Sequence, residues 1–372
     1  MSGNDYVKEN LSIQQLFETL NVLNSQKMDY VAQGSQISMN EGIVTLASLP
    51  YKLSPNEIFH QQLAEKLDIP FKYYRKMQTE FQGLLDTNVN EWLNRGSKRY
   101  FIRGYLNEGG LSTGRAFLSD QFKVIDNYSI MITLLTAIKK SGLNLKITRC
   151  DLTEKRMYIR LINESAEINA KEFLAKYRNP ESGEQDPRIN AGLIIGNSEV
   201  GWGALFAKPL LIMKVCSNGM VGAKEDQKRQ VHMGQKLDDG EVNWSDTTKK
   251  LNTEVIQSML EDYIGYYSSE VYLKKAVKTL TDLGSDRLLY PIEAVKNVSK
   301  EVSLTQKEQN DLIGYFMNSG DTSRAGIIHS LTFLAQKLDS DRRYDIESKT
   351  FDLLGNMAKY DQIKSGTQTS IN

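Results

Sequence analysis

Apolar residues recur at helical spacing over residues 11–32 (Ile13, Leu16, Phe17, Leu20, Leu23), which predicts one helix there. GIVTLASLPYKL, residues 42–53, reads as extended chain. In SPNEIFHQQLAEKLDIPFKYYRKM, residues 54–77, Ser54 stands at an N-cap, Pro55 at the first helical position and Glu57 at the capping-box position. The pattern breaks at Asp68-Ile69-Pro70 and resumes, so it fits either a helix-turn-helix or a helical pair packed on a sheet. RYFIRGYL (99–106) and RAFLSDQFKVI (115–125) flank the Gly-rich NEGGLSTG and predict a hairpin. DNYSIMITLLTAIKKSG (126–142) then reads as a helix capped by Asp126 or Asn127 and stopped by Gly142. LKITRC and KRMYIRLI make a second hairpin, and NPESGEQDPR (179–188) reads as a mobile loop. From about Asn243 to Tyr360 the pattern becomes successive amphipathic helices, and SGTQTSIN at the end reads as a disordered tail.

Together these elements define an α+β chain: a mostly antiparallel sheet with inserted helices, followed by a helical C-terminal region. The expected organisation is an N-terminal helix and extended segment over residues 1–53, an α+β core over 54–242, a helical region over 243–362 and a tail over 363–372. There is no internal repeat.

Lys plus Arg and Asp plus Glu are both 46, so no net charge advertises a polyanionic partner. Neutrality does not exclude one, because phosphate responds to local clusters of charge. Two cysteines are too few for a disulfide framework, and three histidines are few for a metalloenzyme. No apolar run reaches the ~18 residues of a spanning helix, and the N-terminus lacks a signal-peptide layout. The expectation is a cytoplasmic protein without membrane contact.

Two strands carry basic and aromatic residues in alternation. Arg99, Phe101, Arg103 and Tyr105 share one face of the first, and Arg156, Tyr158 and Arg160 one face of the second, with Met157, Ile159 and Leu161 opposite. Exposed, such faces would hold a single nucleic-acid strand, guanidinium groups on phosphates and rings on bases. Paired with neighbouring acids, they would be ordinary sheet faces. Lys224, Lys228, His232 and Lys236 recur every four residues beside Arg229 and form a second basic cluster. Cys216 and His232 are the only nucleophile–base couple by residue type, and Cys216 ends an apolar strand where inert thiols are common. Asp120, Glu199 and Asp226 could hold Mg²⁺ as in a nuclease, although no spacing requires it. His60 and His329 lie in helical patterns without a partner at ligand spacing. There is no P-loop, dinucleotide fingerprint or zinc spacing, which argues against ATP-driven machinery and predicts no cofactor.

Two strings remain. NSEVGWGAL (197–205) and CSNGMVGAK (216–224) concentrate Gly, Asn and Ser around FAKPLLIMKV and match no catalytic signature. With RAFLSDQFKVIDN (115–127), VHMG (231–234) and TSRAGIIHSLTFLAQKLDSD (322–341), they resemble the domain-of-unknown-function 932 family, phage- and plasmid-type proteins of mobile elements, over roughly residues 45–345. That family brings no established activity. The order of hairpin, helix, hairpin, strands and helices is more distantly similar to single-strand annealing proteins of the Red-beta and RecT type. Those are ATP-independent and form rings or filaments. The resemblance implies a homo-oligomer that binds single-stranded DNA in annealing or recombination; in that reading the basic cluster places Lys224, Lys228 and Arg229 as further phosphate contacts. The alternatives are a non-enzymatic protein that targets a host factor through its C-terminal helices, and a metal-dependent nuclease.

Overall fold

The computed structural model describes residues 7–107, 110–122, 125–215, 218–222 and 246–362. The chain is α+β, with two six-stranded sheets and a helical C-terminal region. The first sheet runs in the order β1 (Lys8–Leu11), β8 (Leu145–Leu152), β9 (Met157–Asn169), β10 (Arg188–Asn197), β11 (Phe206–Met213) and β12 (Asn218–Val221), all antiparallel. The second runs β2 (Lys27–Gln33), β6 (Arg99–Tyr105), β7 (Leu111–Ser119), β5 (Lys52–Pro55), β4 (Ile43–Leu46) and β3 (Ile37–Asn40). It is mixed, because β5 pairs parallel to β7 while its other pairs are antiparallel.

Several element boundaries differ from expectation for local reasons. The first helix, α1 (Ile13–Gln26), opens with a Ser12–Gln15 capping box, but Lys27–Gln33 leaves it to pair with β6 instead of continuing the helix. Ser54 and Pro55 do not begin a helix. They end β5 opposite Thr113 and Gly114, and Asn56 caps α2 (Glu57–Lys66) by accepting from the Phe59 amide. The expected boundary at 53/54 therefore falls inside a strand. After the break at Asp68–Pro70 comes α3 (Phe71–Glu80), then α4 (Gln82–Arg95). This helical group packs on the second sheet, where Phe59, Leu63, Tyr74, Met77, Leu85 and Val89 meet Tyr100, Ile102 and Phe117. Gly142 stops α5 (Asn127–Ser141) in the left-handed conformation, φ 64°, as its sequence position predicts.

The first sheet carries the larger core. Met157, Ile159 and Leu161 cluster with Leu16, Leu20 and Leu23 of α1 and with Ile130, Met131 and Leu134 of α5. On the opposite face Tyr158 lies in a smaller cluster with Ile194, Phe206, Leu210, Val221 and Tyr344. Tyr344 belongs to a helix over Ser340–Glu347, so C-terminal segments cover this sheet from the second side. Among the described residues no helix is long and apolar enough to cross a membrane.

Candidate nucleic-acid interface

The NSEVGWG string is the joint between the two sheets. Asn197 ends β10 and donates to the Ile125 carbonyl and to Asn127 Oδ1, both at 2.8 Å. Ser198 Oγ donates to the Lys155 carbonyl and accepts from the Trp202 amide. Glu199 accepts from the Asn127 amide at the start of α5 (2.7 Å) and from Arg115 on β7 (3.1 Å). The Val200 carbonyl accepts from Gln62 of α2 at 2.7 Å, and the same side chain accepts from the Phe117 amide. Gly201 turns at φ 73°, where a Cβ would lie 2.8 Å from a Leu118 methyl. Asn197, Glu199 and Val200 thus tie the end of the first sheet to the second sheet, to α2 or to α5.

The strand faces expected to be open are buried. Phe101, Arg103 and Tyr105 do share a face, but it lies inside the joint. Arg103 is 1 % exposed and grips Asp29 through two bonds of 2.7 Å and Asp126 through a third. Burial opposes the charge, and Asp29, Glu199 and Asp126 outweigh it, so the Arg103 pKa is raised. Burial likewise opposes ionisation of Asp126, but Arg103 and Lys27 hold its carboxyl below the usual range. Asp126 stands at the N-cap position without a capping bond, its carboxylate committed to those two cations. Tyr105 accepts from Arg115 at 2.5 Å, and Phe101 packs on Phe122 with Ile58, Leu118 and Val200. The gap among Arg103, Arg115, Glu199 and Lys27 is about 10 Å³, space for one water.

The second strand repeats this outcome. Arg160 is buried and makes a bidentate pair with Glu347, at 3.0 and 2.7 Å. Tyr158 donates to Asp341 at 2.7 Å; burial and that carboxylate push its pKa up. The expectation of two exposed Arg–aromatic faces is corrected for Arg103, Tyr105, Phe101, Tyr158 and Arg160. The alternation is right, and other elements cover both faces. Arg99, at 52 % exposed, and Arg156 alone reach the surface. Lys224, Lys228, Arg229, His232, Asp226, Cys216 and the tail lie outside the described residues. Among the described residues no group of three His, Cys, Asp or Glu side chains could hold a metal. Asp120 faces Arg99 at 3.5 Å, and Glu199 is spent on Arg115 and the α5 amide. Asp226, the third member of the expected Asp120–Glu199–Asp226 nuclease centre, lies outside the described residues, and the other two are engaged with arginines.

Beside the joint lies a run of cations on aromatic rings, in which Lys155, Arg156 and Trp202 are half-buried and Lys208, Phe206 and Tyr344 are buried. Lys155 Nζ lies 4.8 Å over the Trp202 ring. Arg156 donates to the Trp202 carbonyl at 2.7 Å and sits 5.9 Å over Tyr344. Lys208 Nζ stands 5.2 Å from both Phe206 and Tyr344, whose rings stack at 4.9 Å. None of these three cations is in an ion pair among the described residues. Burial, with Arg156 nearby, lowers the Lys208 pKa to about 8. Trp202 also packs against the Phe101–Leu118 cluster, which links this run to β6 and β7 and so to the Arg99 end of the second sheet. Sequence reasoning missed Lys155, Trp202, Phe206, Lys208 and Tyr344. A lone lysine inside the apolar FAKPLL strand was the one available signal. Comparison of the chain with protein-family models, curated proteins and solved structures finds no match.

Proposed function

We propose that the protein binds single-stranded nucleic acid along the Lys155–Arg156–Lys208 surface, without ATP, in the annealing or recombination work of a mobile element. The observation that carries this reading is a set of three cations seated on aromatic rings, which outnumber the one carboxylate seen acting on all three, Asp345. A strand supplies phosphates to the cations and a base to stack on the half-buried Trp202, and it needs no sequence-specific hydrogen bonds. The resemblance to mobile-element proteins and the absence of nucleotide-binding motifs support the same assignment.

The test is fluorescence anisotropy of a labelled oligothymidine against a salt series. For three phosphate contacts the log–log slope is about −2, at ~0.7 per contact on a single strand. Lys155→Ala and Lys208→Met should each weaken binding and flatten the slope by about 0.7. Circular dichroism checks that the variants stay folded. Absence of binding at low salt, or binding indifferent to both substitutions, removes this function.

A further inference from the structure

The Arg99 end of the second sheet holds a separate cavity of about 460 Å³, lined by Lys66, Ser97, Lys98, Arg99, Tyr100, Ser119 and Asp120. Its volume lies within the range of small-ligand sites, ~300–1,000 Å³. Three cations face one carboxylate. Arg99 meets that carboxylate, Asp120, only at 3.5 Å, and Lys66 and Lys98 are in no ion pair among the described residues. Lys66 stands in the last turn of α2, where the carbonyl end of the helix favours a cation and holds it beside the cavity. The bonding of the Lys98 carbonyl to the Gly34 amide fixes the chain there, on the approach to β6. We propose that this cavity takes a nucleoside phosphomonoester. A phosphomonoester carries ~1.5–2 negative charges, which matches the excess of cations over Asp120. The Ser97 hydroxyl adds a neutral donor, while the Ser119 hydroxyl donates to Asp120 at 3.5 Å. Asp120 offers an acceptor for a sugar hydroxyl or an exocyclic amine of the base. Two sources supply this chemistry, a free mononucleotide or the phosphorylated 5′ end of a strand, and only the second rests on the function proposed above.

Calorimetric titration with dAMP and with deoxyadenosine tests the cavity directly. The expected result is at least tenfold tighter binding of dAMP, abolished in Lys98→Glu/Arg99→Glu, both exposed positions outside the core. A 5′-phosphorylated oligothymidine compared with its 5′-hydroxyl form then separates the sources. Several-fold tighter binding of the phosphorylated form, lost in the double variant, assigns the strand end, whereas dAMP binding without that preference assigns the free nucleotide. If dAMP binds no better than deoxyadenosine and the two oligonucleotides are equivalent, the proposal is overturned. Failure of the 5′-hydroxyl oligonucleotide to bind at all counts against the single-strand function and leaves the dAMP result standing.

Discussion

Replacing Arg160 separates the structural from the binding role most cleanly. Its guanidinium is bonded twice to Glu347, at 3.0 and 2.7 Å, and Glu347 is 0 % exposed with a third bond from Gln336 at 2.9 Å. Arg160→Met leaves that carboxylate in the interior without its bidentate partner, with only the more distant Arg343 acting on it, a loss of ~3–5 kcal/mol in comparable buried pairs. This is a large part of the ~5–15 kcal/mol that holds a domain folded. With a urea m-value of ~3 kcal/mol per molar, the unfolding midpoint should fall by about 1–1.7 M. The double variant Arg160→Met/Glu347→Leu removes both charges and should recover to within about 1 kcal/mol of the parent, since an apolar pair of similar volume avoids the desolvation penalty. The cycle would then report a coupling of several kcal/mol between residues 187 positions apart. If instead Arg160→Met unfolds like the parent but loses affinity for oligothymidine, the pair is not structural and Arg160 belongs to the ligand surface.

Three other perturbations test separate parts of the molecule. Glu199→Gln keeps the shape of the joint but leaves Arg115 buried without its carboxylate, so thermal stability should drop by ~1–3 kcal/mol while oligonucleotide affinity, measured by anisotropy on the folded protein, holds. His60, bonded to Tyr74 at 2.8 Å, is lowered by burial to about 4, below its ordinary 6.5. Its neutral form therefore favours the fold above pH 6.5, and stability should fall as pH drops through 6.5 toward 4 in chemical denaturation, less so in His60→Gln. Lys208 carries its charge below pH 8 and loses it above, so strand affinity should decline as pH rises through 8, and Lys208→Met should lack that decline.

Much of the element order was legible because hydrophobic period and turn chemistry are local. The hairpins, the α5 stop at Gly142 and the C-terminal helices all follow from residues within a few positions. Pairing is another matter. Ser54 and Pro55 satisfy the rules for a helix start, yet β7 offers a parallel partner for that segment, and the cap moves to Asn56. Period two correctly assigned Arg103 and Arg160 to faces, but it says nothing of what lies over a face. Arg103 finds Asp29 from 74 residues away, and Tyr158 finds Asp341 from 183. The same limit hid the better surface, since Tyr344 reaches Phe206 and Lys208 only through the fold.

The formal charge of the chain is zero, so any attraction for a polyanion must come from how its charges are distributed. Burying an arginine without a carboxylate costs far more than leaving it in water, and each interior cation therefore withdraws an acid from the surface. Asp29, Asp126, Glu199 and Glu347 are withdrawn in this way by Arg103, Arg115 and Arg160. Lys155, Arg156 and Lys208 share Asp345 and are in no close ion pair among the described residues, and Lys208 departs furthest from the rule because it is only 6 % exposed. The NSEVGWG joint produces both results. Its glutamate anchors an interior arginine, and its tryptophan seats two of the surface cations. Substitutions at the first set should therefore change stability and leave the salt slope of binding alone, while substitutions at the second set should do the reverse.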